Sequence, residues 1–187
     1  MTDEEYSQAD RIFCEIGRFA VKFEHVVMSI GWGITFLLHS QGLKNQQLAH
    51  IILAELTAYP AKSILQAMIA EVAELDDQDR SITDKIFKRV QSLIETRNDL
   101  VHSVTMVGAR GEDDPTFRAD SHKLTRGRKG AGVKSSQNSV QTLKALSEEC
   151  TAVDDLINRL WTTVASGEKV SSQFILNGDT VILYPKT

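Results

Sequence analysis

Through the first forty residues, apolar side chains recur at steps of three and four: Ile12, Ile16, Phe19, Phe23, Val26, Val27, Ile30, Ile34, Leu37 and Leu38. That period places them along one side of an α-helix and predicts a single amphipathic helix over about residues 4 to 39. So long a stripe must be covered over its whole length, which commits the chain to helix-on-helix layers. Gly31 and Gly33 weaken the last turns and permit a kink or a close helix crossing.

The rest of the chain repeats the theme. A second helix is expected over 45 to 58, after Gly42. Tyr59-Pro60 breaks the pattern, and because proline is tolerated in a first helical turn, a third helix starts near Pro60 and buries Ile64, Leu65, Met68, Ile69, Val72 and Leu75. The acids of Asp76-Asp77-Gln78-Asp79 suit the start of a fourth helix. Its stripe is Ile82, Ile86, Val90, Leu93, Ile94, Leu100 and Val101. The last helix runs from about Ser139 to Val164, with Leu143, Leu146, Cys150, Val153, Ile157, Leu160 and Val164 on one face. Near the C-terminus, Asn177-Gly178-Asp179 stands between Gln173–Leu176 and Thr180–Tyr184, the mark of a β-hairpin.

The fold expected is therefore all-α: a single helical domain over 1–187, built as a four- to five-helix up-and-down bundle. An irregular basic insertion occupies 103–138, and a C-terminal β-hairpin appendage occupies 170–187. Within the insertion, Val104–Val107 reads as a short strand and Pro115–Ala119 as its return. Arg126-Gly127-Arg128-Lys129-Gly130-Ala131-Gly132 has no periodicity and reads as a flexible loop. A structureless stretch of that length usually serves a function or stays mobile.

Composition narrows the class. At 42% apolar, the 187-residue chain is an ordinary globular protein rather than a disordered one. No unbroken run approaches the ~20 apolar residues of a bilayer span. The acidic start Met1-Thr2-Asp3-Glu4-Glu5 is unlike a signal peptide. Cys14 and Cys150 both fall in amphipathic patterns and read as buried free thiols. A cytoplasmic protein without membrane attachment is the expectation.

The net charge of −4 argues against a general polyanion binder. Its distribution is uneven, however. Between Arg118 and Lys134, six basic residues (Arg118, Lys123, Arg126, Arg128, Lys129 and Lys134) face one acid, Asp120, a surplus of about +5 that leaves about −9 elsewhere. Such asymmetry marks either a local nucleic-acid contact or a solvated loop.

One position breaks the fourth stripe. Arg97 lies three and four residues from Leu93, Ile94, Leu100 and Val101, where the period calls for an apolar side chain. A buried, unpaired guanidinium costs several kcal/mol, so Arg97 must be paired, or open to a cleft or a partner. His102 follows five residues on. Five residues of helix do not return to one face, so the two side chains converge only if the helix frays, or if two copies of the helix face each other across a symmetric dimer, and the pair completed across a dimer is the expectation. Together they suit metal-free RNA scission. Histidine titrates near neutrality and can take the proton of an attacking 2′-hydroxyl or supply one to the leaving 5′-oxygen. Arginine stays charged and forks onto phosphate oxygens. Asn98 and Asp99 are polar neighbours able to orient both. The alternative is structural: Arg97 pairs with Glu24 or Glu95, and His102 caps the helix through its dipole.

The stretch Glu95-Thr96-Arg97-Asn98-Asp99-Leu100-Val101-His102, at the end of a helix in a helical domain, resembles the signature of the HEPN superfamily (the higher eukaryotes and prokaryotes nucleotide-binding domain), in which arginine-asparagine precedes two apolar residues and a histidine. The first helix, with Phe19, Phe23 and Glu24, is similar to the long leading helix of such proteins. The likeness spans roughly residues 8 to 165. It implies a helical bundle, a homodimer with a composite cleft, and in many members a ribonuclease that needs no metal or other cofactor, leaves a 2′,3′-cyclic phosphate, and serves toxin–antitoxin or defence systems. On that likeness, Arg97 and His102 are the catalytic pair and Asn98 their support. RNA, a second copy and an antitoxin protein are the implied partners, and Arg118, Lys123, Arg126, Arg128, Lys129 and Lys134 are the residues that grip RNA. Ser103 departs from the glycine that often follows the histidine.

Other signals carry less. Gly127–Ser135 looks like a phosphate-binding loop, but Val133 separates the last glycine from Lys134 and no strand–loop–helix unit surrounds it. His25, His39, His50, His102 and His122 show no paired ligand spacing. Asp76, Asp77 and Asp79 lack the glycine and closing glutamate of a calcium loop. A non-catalytic RNA- or nucleotide-binding module, or a purely helical scaffold, are the competing functions.

Overall fold

The computed structural model describes residues 3–108, 118–127 and 130–184. These described residues are mostly helical, with five α-helices and two small antiparallel sheets among them. Helix α1 spans Asp3–Ser40, α2 Gln46–Ala54, α3 Ala58–Val72, α4 Asp77–Val101 and α5 Val140–Ala165. Strands β1 (Val104–Gly108), β2 (Arg118–Gly127) and β3 (Gly130–Asn138) form one sheet; β4 (Phe174–Asn177) and β5 (Thr180–Leu183) form the other. The chain divides into two compact units, Met1–Phe23 with Glu95–Cys150, and Glu24–Ile94 with Thr151–Thr187. Helices α1, α4 and α5 each contribute a segment to both.

The second unit is the more helical. Gly42, at φ +100°, turns the chain out of α1 with Leu43 N–H on the Leu38 carbonyl, a glycine exit that a residue with a Cβ would strain. Asn45 then caps α2 by accepting from Gln47 N–H at 3.1 Å. Helix α2 stops at Ala54, four residues before the expected end. A tight Leu56 N–H to Leu53 carbonyl bond closes its last turn, and extended Thr57 opens α3. Ile30, Ile34 and Leu37 of α1, Leu65 and Ile69 of α3, Ile82, Ile86 and Val90 of α4, and Ile157 and Leu160 of α5 are buried. At Gly33 a Cβ would meet the Trp161 ring at 2.9 Å and Leu65 Cδ1 at 3.1 Å. The Trp161 ring has little room to yield, because it stacks on Phe36 at 4.9 Å and donates Nε1–H to Asn158 at 3.3 Å. Nearby, Ser29 donates to Asp154 and Asn158 donates to Ser29 at 3.1 Å, so the polar groups of this helix pair are satisfied.

Asp76 caps α4, accepting from Asp79 N–H at 2.8 Å, and pairs with Lys169 at 2.6 Å. Buried Asp79 accepts from Ser171 N–H at 2.7 Å, fixing the short turn Val170–Ser172 ahead of the hairpin. In β4–β5, Asn177 pairs with Thr180, leaving Gly178 and Asp179 as a two-residue turn with Gly178 at φ +58°. Lys85 of α4 holds that turn through Asp179 at 2.8 Å and the Gly178 carbonyl at 2.6 Å, while Arg89 donates to the Val181 carbonyl at 3.2 Å.

The first unit corrects the all-α expectation. The described residues of the insertion, 104–108, 118–127 and 130–138, form a meander, β1-β2-β3, in antiparallel register from Val104↔His122 to Gly127↔Gly130. The return strand starts at Arg118, and Pro115–Phe117 lie outside the described residues. The supposed loop Arg126–Gly132 joins two paired strands, of which Arg128 and Lys129 lie outside the described residues. The strand period was masked because the covered face is built from Ala119, Ser121 and Asn138, small or polar residues, whereas Val104, Met106, Leu124 and Val133 are exposed. Cys14 is another correction: it is exposed, two positions off buried Ile12, and only Cys150 is buried.

Helix Ser7–Ser40 also passes, by length and composition, for a membrane span, with one window of mean hydropathy 1.3, of which 44% is buried inside the protein. The unbroken-run reading did not register it.

Gly33→Ala gains helix propensity of about 1 kcal/mol but drives a methyl into a held indole, an overpacking cost of about 1–3 kcal/mol. The net expectation is a loss of about 1 kcal/mol and a melting temperature lower by a few degrees, read by circular dichroism. An unchanged or raised melting temperature rejects the crowding described at Trp161.

Candidate functional site

The end of α4, in the first unit, gathers the residues singled out by sequence. The helix closes at Val101, and His102 N–H still bonds the Asn98 carbonyl at 3.2 Å. One residue beyond the helix, the His102 side chain is freed from helical phase. It turns back so that Nε2 lies 3.2 Å from Arg97 Nη1. The pair therefore closes within one chain, by the helix-end route rather than across a dimer axis. Arginine is always the donor, so Nε2 is the acceptor, and a neutral imidazole carrying its proton on Nδ1 satisfies the geometry.

Arg97 is half-buried, as a stripe position requires, with Nε buried and Nη1 meeting exposed His102. Its guanidinium carbon stands 5.9 Å over the Phe23 ring, and Nη1 lies 3.4 Å from Asn98 Oδ1. A cation over an aromatic face keeps part of its electrostatic stabilisation without surrendering the charge. All three proposed catalytic residues, Arg97, Asn98 and His102, are thus brought together, with His102 exposed.

Asp99 anchors the sheet to this helix end. Its carboxylate takes Lys123 of β2 at 3.3 Å and Lys134 of β3 more closely still. Lys123 and Lys134 are register partners on adjacent strands. Like charges directly opposite destabilise a sheet, and the shared carboxylate neutralises both. The hydrogen bond from Lys134, then that from Lys123, hold Asp99 below the usual carboxylate range against the opposing effect of burial. Asp99 in turn raises Lys134. Ser103 Oγ bonds the Asp99 carbonyl, occupying an acceptor that the end of the helix leaves open.

The other basic residues are not gathered here. Arg118 lies on the opposite face of β2 from Lys123, with Nη1 3.5 Å from Gln137 Oε1. Arg126 pairs in register with Ala131 through its backbone. Sequence reasoning named Asp99 only as an orienting neighbour and missed its role as anchor. The signal available was an acid at the helix end followed by an insertion rich in lysine. The platform role of Phe23 left no signal, since it reads as one more stripe residue. Among the described residues, no three His, Cys, Asp or Glu side chains are grouped to hold a metal ion.

No known protein family, curated protein or solved structure matches the chain.

The Asp99 contacts set a pH dependence. A carboxylate whose folded-state value is depressed stabilises the fold above its unfolded value of about 3.9, and that contribution is lost as pH falls through the lower folded value. Amide protection in β2 and β3, relative to the intrinsic exchange rate at each pH, should therefore fall on acidification below about pH 4, and Asp99→Asn should show the lowered protection already at neutral pH. Equal protection in both proteins across that range counts against the anchor.

Proposed function

We propose that the protein is a metal-independent endoribonuclease whose Arg97 and His102 act on the phosphodiester, with Asn98 as support. The observation that carries this reading is the 3.2 Å approach of Arg97 Nη1 to His102 Nε2 at an exposed helix end. His102 takes the proton of the RNA 2′-hydroxyl as the 2′-oxygen–phosphorus bond forms. The phosphorus–5′-oxygen bond breaks, the 5′-oxygen takes a proton from water, His102 returns its proton to solvent, and a 2′,3′-cyclic phosphate remains. Arg97 leaves the imidazole lone pair for the phosphate oxygens and bears the charge that develops there. The resemblance to HEPN proteins supports the same chemistry, a homodimeric state, a role in a toxin–antitoxin or defence system, and action in the cytoplasm.

A second reading is a non-catalytic module that binds RNA or a nucleotide through Arg97. Lys123 and Lys134, expected to grip the phosphate backbone, are engaged by Asp99, so in this reading Arg97 carries the phosphate contact.

The test is RNA cleavage with a chelator present. Wild-type protein should yield cyclic-phosphate ends, and Arg97→Ala or His102→Ala should each lower the rate by about 10²-fold or more. Arg97→Lys, which keeps the charge and loses the fork, should fall between them. Cleavage that survives both alanine substitutions refutes the pair. RNA retained without product, and released by salt, selects the binding module.

A further inference from the structure

Helix α2, Gln46–Ala54, has the sequence QQLAHIILA, yet Ala49 is its one buried residue. Leu48 is 48% exposed, Ile51 68% and Ile52 60%. Beside it on α1, Met28, Trp32 and Phe36 recur at four-residue steps and are also exposed, Met28 at 58%. His50 meets the edge of Trp32 with ring centres 6.2 Å apart, joining the two stripes into one face within the second unit. A nine-residue helix is marginal in isolation and normally persists because its apolar side is covered; here that side is turned outward.

Charge says what covers it. Between Met28 and Thr57 the formal charges are Lys44 and Glu55 alone, in a chain that is 25% charged. A helix lying on a membrane surface carries a lysine- or arginine-rich rim, and a nucleic-acid surface carries a basic one. The Met28–Thr57 stretch that builds this face carries neither rim. A second copy meets it with the same neutral apolar chemistry, and a two-fold axis then opposes no like charges. The area also suits. Six large side chains, each about half exposed, present roughly 600 Å², most of the ~800 Å² per partner in a standard interface. Tryptophan and methionine are enriched in such interfaces.

We propose that the α2 face, with Met28, Trp32 and Phe36 of α1, is the surface through which two copies of this chain associate. It rests on the homodimeric part of the reading above and on none of its chemistry.

Sedimentation velocity over about 1–100 µM tests it. The wild type should run at twice its 20.8 kDa monomer mass. Ile51→Glu and Ile52→Glu should each weaken association by at least 100-fold while leaving helicity and melting of the monomer intact, since both side chains already face solvent. Leu124→Glu, on the exposed face of the sheet, should leave the dimer unchanged. A wild type that stays monomeric, a dimer indifferent to both isoleucine substitutions, one dissociated by Leu124→Glu instead, or a monomer that sediments with phosphatidylcholine vesicles overturns the proposal. A monomer that still cleaves RNA removes this interface and spares the chemistry; a dimer without cleavage does the reverse.

Discussion

The first unit is organised by where α4 stops. A helix that continued past Val101 would hold His102 out of reach of Arg97, because five residues do not return to one face. Termination at Val101 releases His102 to turn back, places Ser103 on the Asp99 carbonyl, and lets β1 begin at Val104. The site and the sheet therefore issue from the same helix end. Asp99 then ties them electrostatically, since one carboxylate serves a lysine from each of two strands.

That arrangement gives each charged group of the site a different level of commitment. Lys123 and Lys134 are spent on a structural contact. Arg97 lies over Phe23 with Nη1 on the His102 imidazole.

The helices were legible because their stripes are apolar and long. The starts of α3 and α4 followed from Pro60 and the acids at 76–79, and the terminal hairpin from Asn177-Gly178. The end of α2 was not legible, since Leu56 still fits the period and only the extended backbone at Thr57 shows the break. The sheet escaped for a physical reason. Sequence patterns assume apolar residues point inward, whereas here Ser121 and Asn138 are covered and Leu124 and Val133 are exposed. In the site, an arginine out of place on a stripe drew attention to Arg97–His102. How the pair meets depended on one residue of helix termination, which no periodicity resolves.

The most direct measurement of the central claim is nuclear magnetic resonance of the His102 ring and the Arg97 guanidinium while a 2′-O-methyl oligoribonucleotide, which the reaction cannot cleave, is titrated in without divalent metal. The account requires both sets of signals to shift together and saturate together, and the His102 shift to vanish in Arg97→Ala. Saturable binding that moves neither side chain contradicts it.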